Sequence, residues 1–311
     1  MREATLRRKG RNLRYAVSDN TEAHTRDGTA TWAINLHGYF AGGGMYWRES
    51  ANLAGRLGWR IVNPCIPGFG DSDPLPKEKL SIGAVAEEMS ALLDHLGVER
   101  AVLIGHSMGA AVAVEMADRH PERTLGIIYR AGVATPAWRQ RRGLVARVLS
   151  VVSPDLAGAT DILVAAVLDV PDLFIGRRPA STFRRLWPDA RHNVRAMGGA
   201  MAIGSMLMSL DLRDTVARVC DEGIPLLPIW GCFDRITNAA TAAEFASLTG
   251  ESIVWVPGGH SWMLPRPRGL GDILVLLERG QLFMEDVERR LQDLTPQPLA
   301  MDARGRALEA G

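Results

Sequence analysis

The chain has 311 residues, 47% of them apolar and 23% charged, with a formal net charge of +1. That is ordinary globular usage with enough apolar material for a full core, and the near-neutral balance gives no electrostatic case for binding nucleic acid or another acidic polymer. Cys65, Cys220 and Cys232 form neither a CxxC pair nor a metal-ligand spacing, and their odd number argues against a disulfide framework. The N-terminal "MREATLRRKGRNLRY" lacks the apolar stretch of a secretory signal. No uninterrupted run of about 18 apolar residues suggests a spanning helix, so a reducing cytoplasm is the simplest expected compartment.

Residues 4–18 alternate enough to form a pair of strands, and the polar "NTEAHTRDGT" after them reads as a loop. "ATWAINLHG" is expected to be a strand, followed by the Gly-rich "YFAGGG" and a helix over "MYWRESANLAGRLG". "WRIVNPCIPGFGDSD" reads as a strand running into a turn. "SIGAVAEEMSALLDHLGV" has apolar residues at helical spacing behind a serine start. Strand "RAVLIGHS", helix "MGAAVAVEMADRHP" and strand "RTLGIIYRAG" follow. Continuous apolar strands alternating with helices predict a mostly parallel sheet covered on both faces.

The alternation stops near Ala134. From there to about Thr215 the chain reads as helical, with breaks at Pro154, Pro171, Pro179 and Pro188. It resumes with strand "IPLLPIWGCFD", helix "NAATAAEFASLTG", strand "SIVWVPGGH" and one long helix over 269–294. The expected organisation is one α/β core (1–133 and 216–295), interrupted by a helical cap (134–215) and followed by a loose tail (296–311).

Gly105-His106-Ser107-Met108-Gly109 fits G-x-S-x-G and lies where a strand gives way to a helix. That context calls for a sharp turn lifting the serine hydroxyl above the sheet, with its oxygen near a helix N-terminus that favours negative charge. With this motif the chain resembles the α/β-hydrolases that carry a cap domain, over roughly residues 5–290. The resemblance implies an eight-stranded, mostly parallel sheet and the chain order serine, acid, histidine. Asp234 and His260, each following one of the late strands, fill the last two places; Asp211 and Asp214 are reserve candidates for the acid. Asp234 is also a natural turn or helix-capping carboxylate ahead of "RITNAA".

The implied roles are Ser107 as nucleophile, His260 as base and Asp234 as orienting carboxylate. Backbone amides of Met108 and of Tyr39, in "LHGYF", would form the oxyanion hole, with Phe40 as the alternative to Tyr39. His37 is expected mainly to order that loop. His37, Phe40, Met206 and Trp262 are the expected substrate-binding residues. His106 adjoins the serine, but successive side chains point apart, so it reads as a packed histidine and not as the base. Cys65, ahead of "IPGFGDSD", reads as an inert buried thiol.

A serine at the nucleophile position sets the chain apart from epoxide hydrolases and haloalkane dehalogenases, which use aspartate. The elbow also lacks the Gly-Asn-Ser form common in C–C bond hydrolases. "AGGG" is neither a Walker motif nor G-x-G-x-x-G. In the cap, Met197, Met201, Met206 and Met208 suit either an adaptable acyl pocket or plain helix packing. The apolar 161–176 stretch suits lid core, a homodimer face or a lipid-facing surface. Between Ala134 and Thr215, 11 Arg stand against 7 Asp with no Lys or Glu, an excess that either attracts anionic substrates or is simply solvated.

The expectation is therefore a serine hydrolase acting on an ester-type bond of a small apolar acyl substrate, with no metal or organic cofactor. An acyltransferase, a C–C bond hydrolase and a small-molecule receptor with a retained triad are the alternatives.

Overall fold

The computed structural model describes residues 2–18, 30–139, 191, 193 and 197–295. Most of the expected cap, with its proline breaks, the 161–176 stretch and much of the arginine excess, lies outside the described residues, as do the expected loop "NTEAHTRDGT" and the expected C-terminal tail.

Strands β1 (Arg2–Arg8) and β2 (Arg11–Ser18) form an antiparallel hairpin. Lys9 and Gly10 both take positive φ at its turn, matching the strand twist that two-residue hairpins need. β3 (Trp32–Leu36), β4 (Arg60–Pro64), β5 (Ala101–His106), β6 (Thr124–Arg130), β7 (Leu226–Gly231) and β8 (Val254–Val256) complete an eight-stranded sheet. Its order is β1-β2-β4-β3-β5-β6-β7-β8, antiparallel at β1-β2 and β2-β4 and parallel from β4 onward. From β3 the chain steps outward to β4, then returns to lay β5 on the other side of β3. The carboxyl ends of β3 and β5 thus flank the point where the winding reverses, where open α/β sheets place their ligands.

Both sheet faces are buried, as the unbroken apolar strands require. On one face, helices α2 (Ile82–His95), α3 (Met108–Arg119), α5 (Arg213–Asp221) and α6 (Ala239–Thr249) contribute Val85, Met89, Val112, Met116, Val216 and Phe245 to a core with Leu103 and Ile127. Ala200, Ile203 and Leu207 of α4 (Met197–Ser209) extend it. On the other face, α1 (Trp47–Leu57), α7 (Gly269–Leu276) and α8 (Glu278–Leu294) bring Leu53, Leu270, Ile273, Phe283 and Val287 against Val102, Ile104 and Ile128.

Two expectations are corrected. The helix over 269–294 is two helices, broken at Leu277, whose backbone is extended (φ −98°, ψ 136°). The chain doubles back there so closely that a Cβ on Gly280 would collide with the Ile273 carbonyl. The strand expected to reach His260 stops at Val256, because Pro257 and Gly258 (φ 140°) end the ladder; His260 therefore sits in a turn beyond the strand.

Candidate active site

β5 runs into α3 with Ser107 alone making the turn, at φ 54° and ψ −115°. A non-glycine residue held there costs on the order of 1–3 kcal/mol. The surroundings enforce it. A Cβ on Gly105 would strike the Ala110 backbone, and one on Gly109 would strike the Leu36 carbonyl, so both flanking glycines allow α3 to sit against β5 and β3. The Ser107 N–H donates to the Arg130 carbonyl at 2.9 Å. Met108 opens α3, so its amide is among the first-turn N–H groups that have no partner within the helix.

Asp234 lies three residues beyond β7 and is buried with His260. His260 Nδ1 stands 2.9 Å from Asp234 Oδ2. The other carboxylate oxygen, Oδ1, accepts from the Ile236 N–H at 2.8 Å and the Thr237 N–H at 2.9 Å. The Thr237 hydroxyl is 2.8 Å from Oδ2. Asp234 thus organises its own turn with one oxygen and meets the histidine with the other. The turn role and the partner role suggested by the sequence coexist, and helix α6 is capped instead by Asn238, which accepts from Ala240 N–H. Asp211 and Asp214 are exposed, and Asp211 pairs with Arg213, whose hydrogen bonds lower its pKa. Neither reserve acid is shown against His260.

The loop after β3 lies over the elbow: a Cβ on Gly38 would come within 3.3 Å of Ser107 Cβ. The Gly38 carbonyl accepts from His37 Nδ1–H at 2.8 Å and from the Ala41 N–H at 3.2 Å. His37 Nε2 accepts from the Ile66 N–H at 2.8 Å. In a trans peptide the N–H points opposite the carbonyl, so these bonds fix the direction of the Tyr39 N–H.

His37 is fully buried with both ring nitrogens engaged, so it braces the loop and offers no open face to a substrate. Its burial lowers its pKa from 6.5 to about 4. The folded protein therefore keeps His37 neutral where an unfolded chain takes up a proton. Its contribution is complete above pH 6.5 and is lost as pH falls from there toward 4. The full effect is about 3 kcal/mol. Urea midpoints at pH 7 and pH 5 should differ clearly in the wild type and less in His37→Gln; equal pH dependence in the two proteins would contradict this origin.

His106 is buried beside His260, with ring centroids 4.7 Å apart. Its Nε2–H donates to the His260 carbonyl at 3.0 Å, and its Nδ1, 2.7 Å from Tyr46 Oη, accepts from that hydroxyl. Desolvation and the nearby His260 hold its pKa well below 6.5. Both nitrogens are thus engaged away from proton transfer, as its position in the turn suggests.

Of the remaining expected residues, Tyr39 and Phe40 are half-buried over the first core, Phe40 with φ 62°, and Met206 packs against the same cluster. Trp262 is 2% exposed in the second core, and a Cβ on Gly258 would lie 2.7 Å from its Cβ, so it packs against the loop that carries His260. Cys65 is buried and in no disulfide. Among the described residues no three His, Cys, Asp or Glu side chains cluster as a metal site requires.

Several contributors carry no motif in the sequence. Thr237 and Tyr46 are two. A third is Arg130, fully buried, whose guanidinium donates to Glu49 Oε2 at 2.7 Å and Asn35 Oδ1 at 2.8 Å. The charge closing the apolar run "GIIY" was the available signal for it.

A doubly wound sheet with a strained serine between strand and helix, and an Asp–His pair on the turns after two later strands, defines a class of α/β enzymes. The chain belongs to the alpha/beta hydrolase fold family, whose model matches residues 34–267. It is 27% identical, over 80% of its length and 88% of the relative's, to a protein of Mycobacterium phage D29 that carries the provisional name non-heme haloperoxidase. It is 25% identical, over 78% of its length and 92% of the relative's, to a pimeloyl-acyl-carrier-protein methyl ester esterase of Aeromonas hydrophila. The solved bromoperoxidase of Bacillus anthracis superposes with a TM-score of 0.68 at 17% identity, covering 91% of this chain and 99% of that one. These names span different reactions, so membership of the family does not by itself select one.

Proposed function

We propose that the protein is a serine hydrolase that cleaves a carboxylic ester, thioester or lactone of a small apolar substrate through an acyl-serine intermediate. The observation that carries this reading is the Asp234–His260 pair at 2.9 Å, set beside an elbow that holds Ser107 in a strained conformation. With Nδ1 donating to the carboxylate, His260 Nε2 is left to accept a proton.

Ser107 Oγ attacks the acyl carbonyl while His260 takes its proton. The Tyr39 and Met108 amides hold the resulting oxyanion. Collapse breaks the bond to the leaving group, which recovers the proton from His260. Water then attacks the acyl-serine with His260 again as base, and release of the acid restores Ser107. The sequence calls for no cofactor. The helix α4 belongs to the 134–215 stretch that the sequence marks as a cap, and the three thiols, none of them in a disulfide, suit a reducing cytoplasm. The methyl ester esterase among the relatives supports ester chemistry.

The test is covalent. A fluorophosphonate should add once, at Ser107, and abolish turnover of nitrophenyl esters; an adduct on another residue would sink the reading. A panel of acyl chain lengths, with competing alcohols and thiols present, then separates hydrolysis from acyl transfer.

A further inference from the structure

Asn193 is fully buried, and its side chain reaches two core loops at once. Its Oδ1 accepts from the Gly70 N–H at 3.0 Å. Its Nδ2 donates to the carbonyls of Phe40, at 2.8 Å, and Ala41, at 3.3 Å. The partners leave only one orientation for the amide: its oxygen must meet the N–H, and its two hydrogens must meet the two carbonyls. The residue comes from the segment expected to form the cap, and it binds loop residues immediately following the proposed oxyanion donor Tyr39.

Those loops need holding. Phe40 has φ 62°, an unfavourable backbone for an aromatic residue. Gly38, two residues earlier, lies over Ser107. His37 fixes the loop at its start, through the Gly38 carbonyl, while Asn193 fixes it past the strained residue. A second tie runs from the Tyr39 hydroxyl to the Ala200 carbonyl of α4 at 2.6 Å.

We propose that Asn193 is a positioning residue for the oxyanion hole, holding the 38–41 loop in the conformation that aims the Tyr39 amide at the developing charge. The inference rests on the serine-hydrolase reading. An oxyanion donor binds the transition state more strongly than the ester ground state, so displacing it lowers kcat and leaves KM nearly unchanged.

The test compares full-length wild type with Asn193→Ala, Asn193→Ser and Asn193→Asp. Active sites are titrated with a fluorophosphonate, so that rates refer only to folded, competent molecules. The substrate is p-nitrophenyl butyrate, and the probe of oxyanion binding is a trifluoromethyl ketone, which forms a hemiketal oxyanion on the serine. All three variants should lose about tenfold in kcat per active site, less than the roughly 10²–10³ expected for deleting a donor outright. KM should stay within about twofold, and ketone inhibition should weaken in step with kcat.

Aspartate separates positioning from filling. It matches asparagine in size and, as the ionised carboxylate, keeps an acceptor for Gly70 but has no hydrogen to donate to the Phe40 carbonyl. Recovery of wild-type kcat in Asn193→Asp, or a rise in KM at constant kcat in any variant, would overturn the proposal. Failure of the underlying reading would appear in the wild type itself, as absent Ser107 labelling, and the proposal would fall with it.

Discussion

Replacing His260 or Ser107 by alanine is expected to lower kcat for short nitrophenyl esters by on the order of 10⁴–10⁶-fold, and combining the two should cost little more than either alone. The two side chains act as a unit. Without His260 nothing takes the Ser107 proton, and without Ser107 the base has no nucleophile to activate. His106→Ala should retain far more activity, because both its nitrogens are committed to Tyr46 and the His260 carbonyl. Its loss disturbs the setting of His260 without removing a proton acceptor. Equal losses in His106→Ala and His260→Ala, in variants of equal melting behaviour, would refute the assignment of the base.

Ser107→Gly adds an independent check. Glycine tolerates φ 54° with ψ −115° far better than serine, so the inactive variant should be more stable than wild type by about 1 kcal/mol. A destabilised glycine variant would mean that the elbow is not strained.

The sheet was legible because its strands are apolar on both faces and its helices carry a clear period. Gly105, Ser107 and Gly109 were legible because the elbow's close contacts admit few alternatives there. Asp234 and His260 could be placed because each follows an apolar strand in the chain order that the resemblance implies. What could not be read depends on contacts across the chain. The break at Leu277 follows from Gly280 meeting Ile273 in three dimensions; both flanking segments are good helices by pattern. Trp262 looked like a pocket residue because it neighbours His260 in sequence, but its environment is core packing. Asn193 gives no local signal, since its partners at Phe40, Ala41 and Gly70 lie far away in the chain.

Asp234→Asn should lower kcat by about 10⁴-fold while changing stability little. The reason lies in the other half of the carboxylate. Oδ1 accepts two backbone N–H groups, from Ile236 and Thr237. Asparagine must keep its carbonyl oxygen there, since turning its NH₂ toward two donors would forfeit both bonds. Its NH₂ then faces His260 Nδ1, where Asp234 Oδ2 stood at 2.9 Å. A donor at that position makes Nδ1 an acceptor and moves the ring proton to Nε2. Nε2 is the atom that must take the Ser107 proton, so the ring is held in the wrong tautomer. Asp234→Ala would lose the turn as well and should fall in stability, whereas Asp234→Asn retains it. Nitrogen chemical shifts of the His260 ring read the tautomer directly. A variant that keeps its proton on Nδ1, or retains kcat within about tenfold of wild type, would show that the Asp234 carboxylate does not set the state of the base.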